Sequence, residues 1–282
     1  MILVTSAAGH TGSFIVQGLV NAGLDVIATD VNPAVKKLPG IKEALIGDIT
    51  QLNFQKELVA TADQIVYIPP LFSPEEPEIG KSLVNLSAEN HLKQFIFISV
   101  THPILSSLIQ HTAKQIVEEH LIYTGMTTQL PYTILQPMHY MHNFNPNMVH
   151  ETGVYQSFYD INSKVAYVDP VDVAEVVVKV AEHISNHDKA TYELVGTPAY
   201  SPTELVAKYN AVTGESTRAE YVPVDEFLDS INAQDLFFRE GFEHLAHSYS
   251  KWGLDGNSNV LAMLLGRDPG DFESYVKREL TD

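Results

Sequence analysis

The sequence predicts an α/β chain: a doubly wound parallel sheet followed by a smaller, mostly helical C-terminal region. Three observations carry this reading. Short apolar runs alternate with amphipathic stretches from residue 2 to residue 137, a rhythm that needs crossover helices and hence parallel strands. The first apolar run ends in a turn of small residues that opens directly into a helix. Beyond Pro137 the rhythm loosens. The expected division is residues 1–150 for the sheet domain and 151–282 for a C-terminal part that covers the strand ends, with the chain crossing between them more than once.

Taken in order, Ile2-Leu3-Val4 is a buried strand, Thr5 to Gly12 a turn, and Phe14, Ile15, Gly18, Leu19 and Val20 keep helical spacing until Asn21-Ala22-Gly23 stops them. Asp25 to Asp30 reads as a second strand, with Asn32-Pro33 turning the chain, and Ala44 to Asp48 as a third. A helix is expected from Thr50 to Ala62-Asp63, a fourth strand over Gln64–Ile68, and a stop at Pro69-Pro70. Glu78 to His91 is a helix, Phe95 to Val100 a fifth strand, Thr112 to Ile122 a helix and Tyr132 to Pro137 a sixth strand. The stretch from Lys164 to Val173 reads as a strand followed by an acid-capped helix that runs to about His183, and Tyr192 to Val195 as another strand. Ser201-Pro202-Thr203-Glu204 is a capping box with proline at the first helical position. Arg218 to Val222 is a short strand, and the residues from there to Phe242 read as helical.

The opening strand, turn and helix have the form of a dinucleotide-binding unit. Free N–H groups and the positive dipole end at the helix start favour a pyrophosphate, and small residues let the phosphate approach the backbone. An ordinary strand–helix turn is the alternative reading of these residues.

The bulk composition narrows the classes. A chain of 282 residues that is 45% apolar buries a large core, and no apolar run is long enough to span a bilayer. The first strand begins at Ile2, so no secretion leader is expected. The absence of cysteine removes disulfides, thiol catalysis and thiolate metal sites, in keeping with a cytoplasmic address. A formal charge of −18 repels nucleic-acid phosphates, and Lys and Arg are scattered rather than clustered, so no direct nucleic-acid binding is expected.

The stretch Val4-Thr5-Ser6-Ala7-Ala8-Gly9-His10-Thr11-Gly12 resembles the nucleotide loop of NmrA-like proteins, an atypical branch of the short-chain dehydrogenase/reductase superfamily with the usual pattern Val-Thr-Gly-Ala-Thr-Gly-x-x-Gly. Ser6 departs from it, standing where the family has its first glycine. Gly47-Asp48, Ile68-Pro69-Pro70, the segment from Gln136 to Asn143, the segment from Val168 to Ala174, and the residues from Gly256 to Val260 and from Leu265 to Glu273 also resemble family landmarks, in the family's order and over most of the chain. The resemblance implies a Rossmann fold binding a nicotinamide dinucleotide. It implies one of two functions: hydride transfer to a small-molecule substrate, or cofactor sensing coupled to a protein partner.

Candidate site residues follow. The cofactor set is Ser6, Gly9, His10, Thr11, Gly12, Asp30, Asp48, Ile68, Pro69, Pro70, Ser99, Lys114, Tyr140 and Asn143, with Lys114 and Tyr140 the catalytic candidates. Asp30, 18 residues after Gly12 at a strand end, can accept both ribose hydroxyls or serve only its turn. With Val31 next, where many relatives carry arginine, NAD(H) is expected in preference to NADP(H). Asp48 resembles the family acid beside the adenine and is also placed to cap the helix expected near Thr50. Gln110 stands four residues before Lys114, where typical short-chain dehydrogenases have the proton-donating tyrosine, a residue that NmrA-like relatives commonly lack as well. Lys114 is left either to hold the nicotinamide ribose or to sit solvated on a helix face, and His111 is read as a surface residue with general-acid chemistry as the alternative. A quinone suits a reaction without a dedicated acid, since solvent can protonate its reduced oxygens. His139, His142 and His150 lack convincing metal spacing, and no metal is expected.

Overall fold

The computed structural model describes residues 1–281. In chain order the elements are β1 Ile2–Val4, α1 His10–Asn21, β2 Val26–Asp30, β3 Glu43–Ile46, α2 Leu52–Ala60, β4 Gln64–Tyr67, α3 Glu76–Glu89, β5 Gln94–Ile98, α4 Ile109–Thr128 and β6 Tyr132–Pro137. Next come β7 His139–Tyr140, α5 Pro146–Thr152, β8 Val154–Ser157, β9 Tyr167–Val168, α6 Pro170–Glu182, α7 Ile184–His187 and β10 Ala190–Leu194. The chain closes with α8 Pro202–Thr213, β11 Arg218–Tyr221, α9 Val224–Ser230, α10 Leu236–Trp252, α11 Asn259–Leu265 and α12 Phe272–Thr281.

The chain divides into two compact units, the first made of residues 1–104, 111–137 and 170–193, the second of 105–110, 138–169 and 194–282. The sequence places the boundary at residue 150, whereas, apart from residues 105–110, the chain first leaves the sheet unit after residue 137. The sixth strand ends there, and 170–193 returns to the first unit because α6 lays an apolar face on α1. Residue 282 of the expected C-terminal region lies outside the described residues.

The first unit is a doubly wound Rossmann sheet in the order β10-β6-β5-β4-β1-β2-β3, with parallel pairing from β6 through to β3. Period-two alternation divides the strand residues between two faces. Leu3, Ile65, Tyr67, Phe95 and Phe97 belong to one buried cluster, with Leu83 of α3 and Val117 and Leu121 of α4. On α1, Gly18 admits Ala174 of α6 so closely that a Cβ would stand 3.2 Å from the alanine methyl.

Helix α2 begins at Leu52 rather than Thr50, because the Asp48 carboxylate takes the Thr50 N–H at 2.9 Å and holds that residue in a turn. In the second unit the expected capping box is present at Ser201 and Glu204. The stretch read as helical up to Phe242 is two helices, α9 and α10, tied by Arg239 to Asp225 and Asp229. The short strands β7 and β8 pass unnoticed in the sequence, since two to four residues give no measurable period, whereas β9 lies within the stretch read as a strand from Lys164. Among the described residues no helix is long and apolar enough to cross a membrane.

Candidate functional site

Parallel strands β1, β4 and β5 are neighbours, so the residues that follow them share the carboxyl edge of the sheet: Ser6 after β1, Ile68-Pro69-Pro70 after β4, Ser99 after β5. The first two are joined by side chains. Thr5 Oγ1 accepts from Ile68 N at 2.8 Å and donates to Ile68 O at 2.9 Å, and Ser6 Oγ donates to the same carbonyl at 2.9 Å. Ser6 is left-handed, with φ +47°, which explains why a glycine suits this position; an L-residue there costs roughly 1–2 kcal/mol. Its hydroxyl bond to Ile68 offsets about 1 kcal/mol of that cost, so the turn survives the replacement.

Gly9 N donates to Ser6 O at 3.1 Å, and α1 starts at His10 without a side-chain cap at Gly9. The helix therefore opens on backbone N–H groups with its positive dipole end toward the loop. Gly12 makes the closest approach. A Cβ there would lie 2.2 Å from Ser6 O and 2.7 Å from Ala7 Cα, both backbone, whereas at Gly9 the nearest atom would be Ser6 O at 3.3 Å.

Asp30, at the end of β2, braces this loop. Its Oδ2 accepts from Ala8 N and its Oδ1 from Asn32 N, both at 2.9 Å. Ser6, Thr29, Asp30, Val31, Gly47, Ile49 and Pro70 line a cavity of about 70 Å³. Among the described residues the Thr29 hydroxyl beside it is buried without a partner. An orphaned hydroxyl beside a loop drawn tight onto the helix start by the close approach at Gly12 fits an adenosine-diphosphate moiety. Asp48 is exposed and bonded to Thr50 N and Oγ1, and the Thr50 backbone hydrogen bond pulls its pKa below the usual range.

Lys114 is neither solvated nor isolated. At 15% exposure its Nζ lies 2.9 and 3.2 Å from the two oxygens of Glu76, itself only 1% exposed in the first turn of α3. Burial pushes the Glu76 pKa up and Lys114 pulls it back. His111 corrects the surface reading: it is 2% exposed, with Nδ1 3.0 Å from the His102 carbonyl. That carbonyl can only accept, so the ring proton sits on Nδ1, and burial lowers the pKa to about 4. A neutral imidazole of this kind is not a proton donor in the physiological range. The hydroxyl of Ser99, expected to meet the cofactor, is committed inward to Glu118 Oε1, which also accepts from Gln136 Nε2 at 2.9 Å.

Tyr140 and Asn143 fall in the second unit. Tyr140 stacks on His142 with 4.9 Å between ring centroids. Asn143 Nδ2 lies 3.1 Å from His139 Nε2, and Tyr249 Oη lies 3.3 Å from His139 Nδ1. Burial drives the His139 pKa down to about 3. No group of three or more His, Asp or Glu is placed to hold a metal ion among the described residues.

The pattern of strand, small-residue loop and braced carboxylate agrees with comparison to known sequences, in which a model described as the NmrA-like family matches residues 1–275. The chain belongs to the NmrA-like family. It is 23% identical over 283 residues to quinone oxidoreductase 2 of Escherichia coli (strain K12), covering 94% of each chain. Among solved structures it is similar to an NADPH-dependent quinone oxidoreductase of Escherichia coli complexed with NADPH, at 22% identity over all of both chains with a TM-score of 0.78. Citrobacter sp. triphenylmethane reductase complexed with NADP(H) is similar at 21% identity over 99% of each chain, with a TM-score of 0.79. At these identities the likeness establishes the fold.

Within this NmrA-like chain, sequence reasoning passed over Thr5, Thr29, Glu76, Glu118 and Gln136. Glu118 had a readable signal, since it lies four residues after Lys114 and so one turn along the same face of α4. Glu76 had none: its pairing with Lys114 spans 38 residues and exists only once α3 and α4 are packed.

Proposed function

We propose that the protein is an oxidoreductase that passes hydride from a reduced nicotinamide dinucleotide to a small electrophile such as a quinone. The observation that carries it is the cradle at Gly12, where backbone approaches backbone too closely for any side chain, beside an orphaned hydroxyl at Thr29. The name of the Escherichia coli relative, a quinone oxidoreductase, supports the acceptor class. The dinucleotide supplies a hydride; the quinone gains that hydride and one proton and leaves as hydroquinone. His10, Thr11 and Gly12 hold the pyrophosphate on backbone N–H groups, Ser6 and Gly9 shape the turn beneath it, Ile68-Pro69-Pro70 wall the site, and the third Nζ hydrogen of Lys114 is available for a ribose hydroxyl. Tyr140 and Asn143 are the candidates for contact with substrate and nicotinamide, and Asp48 for the adenine. No tyrosine acid is used, because Gln110 occupies that position.

The reductases in the comparison carry NADPH or NADP(H), so the preference for NAD(H) expected from Asp30 and Val31 draws no support from them. Both Asp30 oxygens are already engaged by backbone N–H groups, which offset part of its charge. Lys36 and Lys37 are exposed on the short turn after Asn32, with no ion pair among the described residues. These observations support NADP(H) as a working cofactor, with the lysines meeting the 2′-phosphate. Titration with NADPH and NADH, followed by a quinone panel, tests the whole reading. Tenfold or tighter binding of NADH would restore the expectation from Asp30.

A second reading, a cofactor sensor acting on a protein partner, is favoured by one observation: with Gln110 in place of tyrosine, Lys114 is neutralised by Glu76. It takes the lead if dinucleotide binds and no acceptor is reduced.

A further inference from the structure

Glu118 is a buried carboxyl that the proposed reaction leaves without a task. It is 8% exposed and faces only neutral partners. Ser99 Oγ–H donates to its Oε1, and Gln136 Nε2 donates to both of its oxygens, at 2.9 and 3.1 Å. No ion pair reaches Glu118 among the described residues. Ser99 is the facing group from the end of β5 and Gln136 that from β6, while Lys114, one turn away on α4, is spent on Glu76. The backbone holds both partners in place: Ser99 N donates to Leu135 O at 2.7 Å and Thr101 Oγ1 to Gln136 O at 2.7 Å.

The hydroxyl of Ser99 therefore has two polarities. When Glu118 is ionised it has no proton to give, Ser99 donates inward, and only the lone pairs of Ser99 face the carboxyl edge. When Glu118 is protonated, one oxygen still accepts from Gln136 and the other donates its proton to Ser99 Oγ, which frees the Ser99 proton to point at the edge. We propose that Glu118 is a positioning residue whose protonation sets whether Ser99 donates or accepts toward a ligand at this edge. The inference rests on the hydride-transfer reading of the edge. As negative charge develops on a quinone oxygen, Ser99 gives its proton to that oxygen and takes the Glu118 proton, leaving a carboxylate that solvent reloads. One O–H bond breaks at Glu118 and one forms on the acceptor, with Ser99 unchanged. Burial, which pushes the Glu118 pKa up against the pull of its two hydrogen bonds, keeps the protonated form accessible.

The test combines infrared difference titration with pH–rate profiles on the full chain. The protonated-carboxyl band that disappears in Glu118→Gln is expected to persist above the pH range in which an ordinary glutamate titrates. With NADPH and a quinone, wild-type kcat is expected to fall as pH rises through that band's midpoint. Glu118→Gln should lose this limb, and Ser99→Ala should lower kcat by about tenfold or more and lose it too. Should Glu118→Gln fail to fold, Ser99→Ala carries the profile. A band that titrates in the ordinary range, or a variant with the wild-type profile, overturns the proposal. If NADPH binds but no acceptor is reduced, the hydride-transfer reading falls. The infrared arm then decides alone: a high-pH band that shifts on NADPH addition upholds the switch, and one indifferent to NADPH overturns it.

Discussion

Replacing Gly12 by alanine should damage dinucleotide binding far more than the same change at Gly9. At Gly12 the added methyl would stand 2.2 Å from Ser6 O and 2.9 Å from Ser6 C. Ordinary contact begins near 3.4 Å, so the Ser6–Ala7 backbone must retreat by about 1 Å. That backbone cannot yield freely, because Ser6 is bonded through Oγ to Ile68 and through its carbonyl to Gly9 N. Overpacking costs about 1–3 kcal/mol and a lost loop hydrogen bond about 1 kcal/mol. The total of about 2–4 kcal/mol is shared between folding stability and binding, and each 1.4 kcal/mol assigned to binding weakens it about tenfold. At Gly9 the methyl meets Ser6 O at 3.3 Å, a gap closed by a few tenths of an ångström, so its effect should stay under about 1 kcal/mol. Calorimetric titration with NADPH and thermal melts on both variants measure the contrast. Equal affinities for Gly12→Ala and wild type would show that the pyrophosphate does not lie on this backbone.

Three further outcomes are expected. Lys114→Met strands the Glu76 carboxylate at 1% exposure and should cost about 3–5 kcal/mol by urea melt, with most of it recovered in Lys114→Met/Glu76→Gln; additive losses would mean the pair is not coupled. Asp30→Ala removes the acceptor for Ala8 N and Asn32 N, so it should weaken binding of both dinucleotides, and a gain in NADPH affinity would show that its charge outweighs its bracing. His111 has a folded pKa of about 4, below the unfolded value of about 6.5, so the unfolded chain binds more protons between them. Its contribution is complete above about pH 6.5 and is lost as pH falls, by about 2 kcal/mol at pH 5. Glu118, with its pKa raised, acts in the opposite sense, so the measurement is the difference in stability between wild type and His111→Asn at pH 7 and pH 5. Parallel curves would refute a buried neutral imidazole.

What the sequence determined by itself is local or periodic. Apolar runs of three to six residues divided by helical spacing specify the order of strands and crossovers, because burying such runs on both faces leaves a parallel sheet as the arrangement. The loop from Ser6 to Gly12 and the capping box at Ser201 were legible for the same reason: each is a hydrogen-bonding pattern closed within a few residues. The tertiary structure alone decided the partners. His111 reads as a surface residue in a polar stretch, yet helix packing buries it against the His102 carbonyl. Lys114 reads as solvated until α3 brings Glu76 from 38 residues away. The direction of the Ser99 hydroxyl is unreadable until α4 and β6 bring Glu118 and Gln136 to it. A side chain's charge state and hydrogen-bond polarity depend on what is packed within about 4 Å of it, and that distance, unlike periodicity, has no signature along the chain.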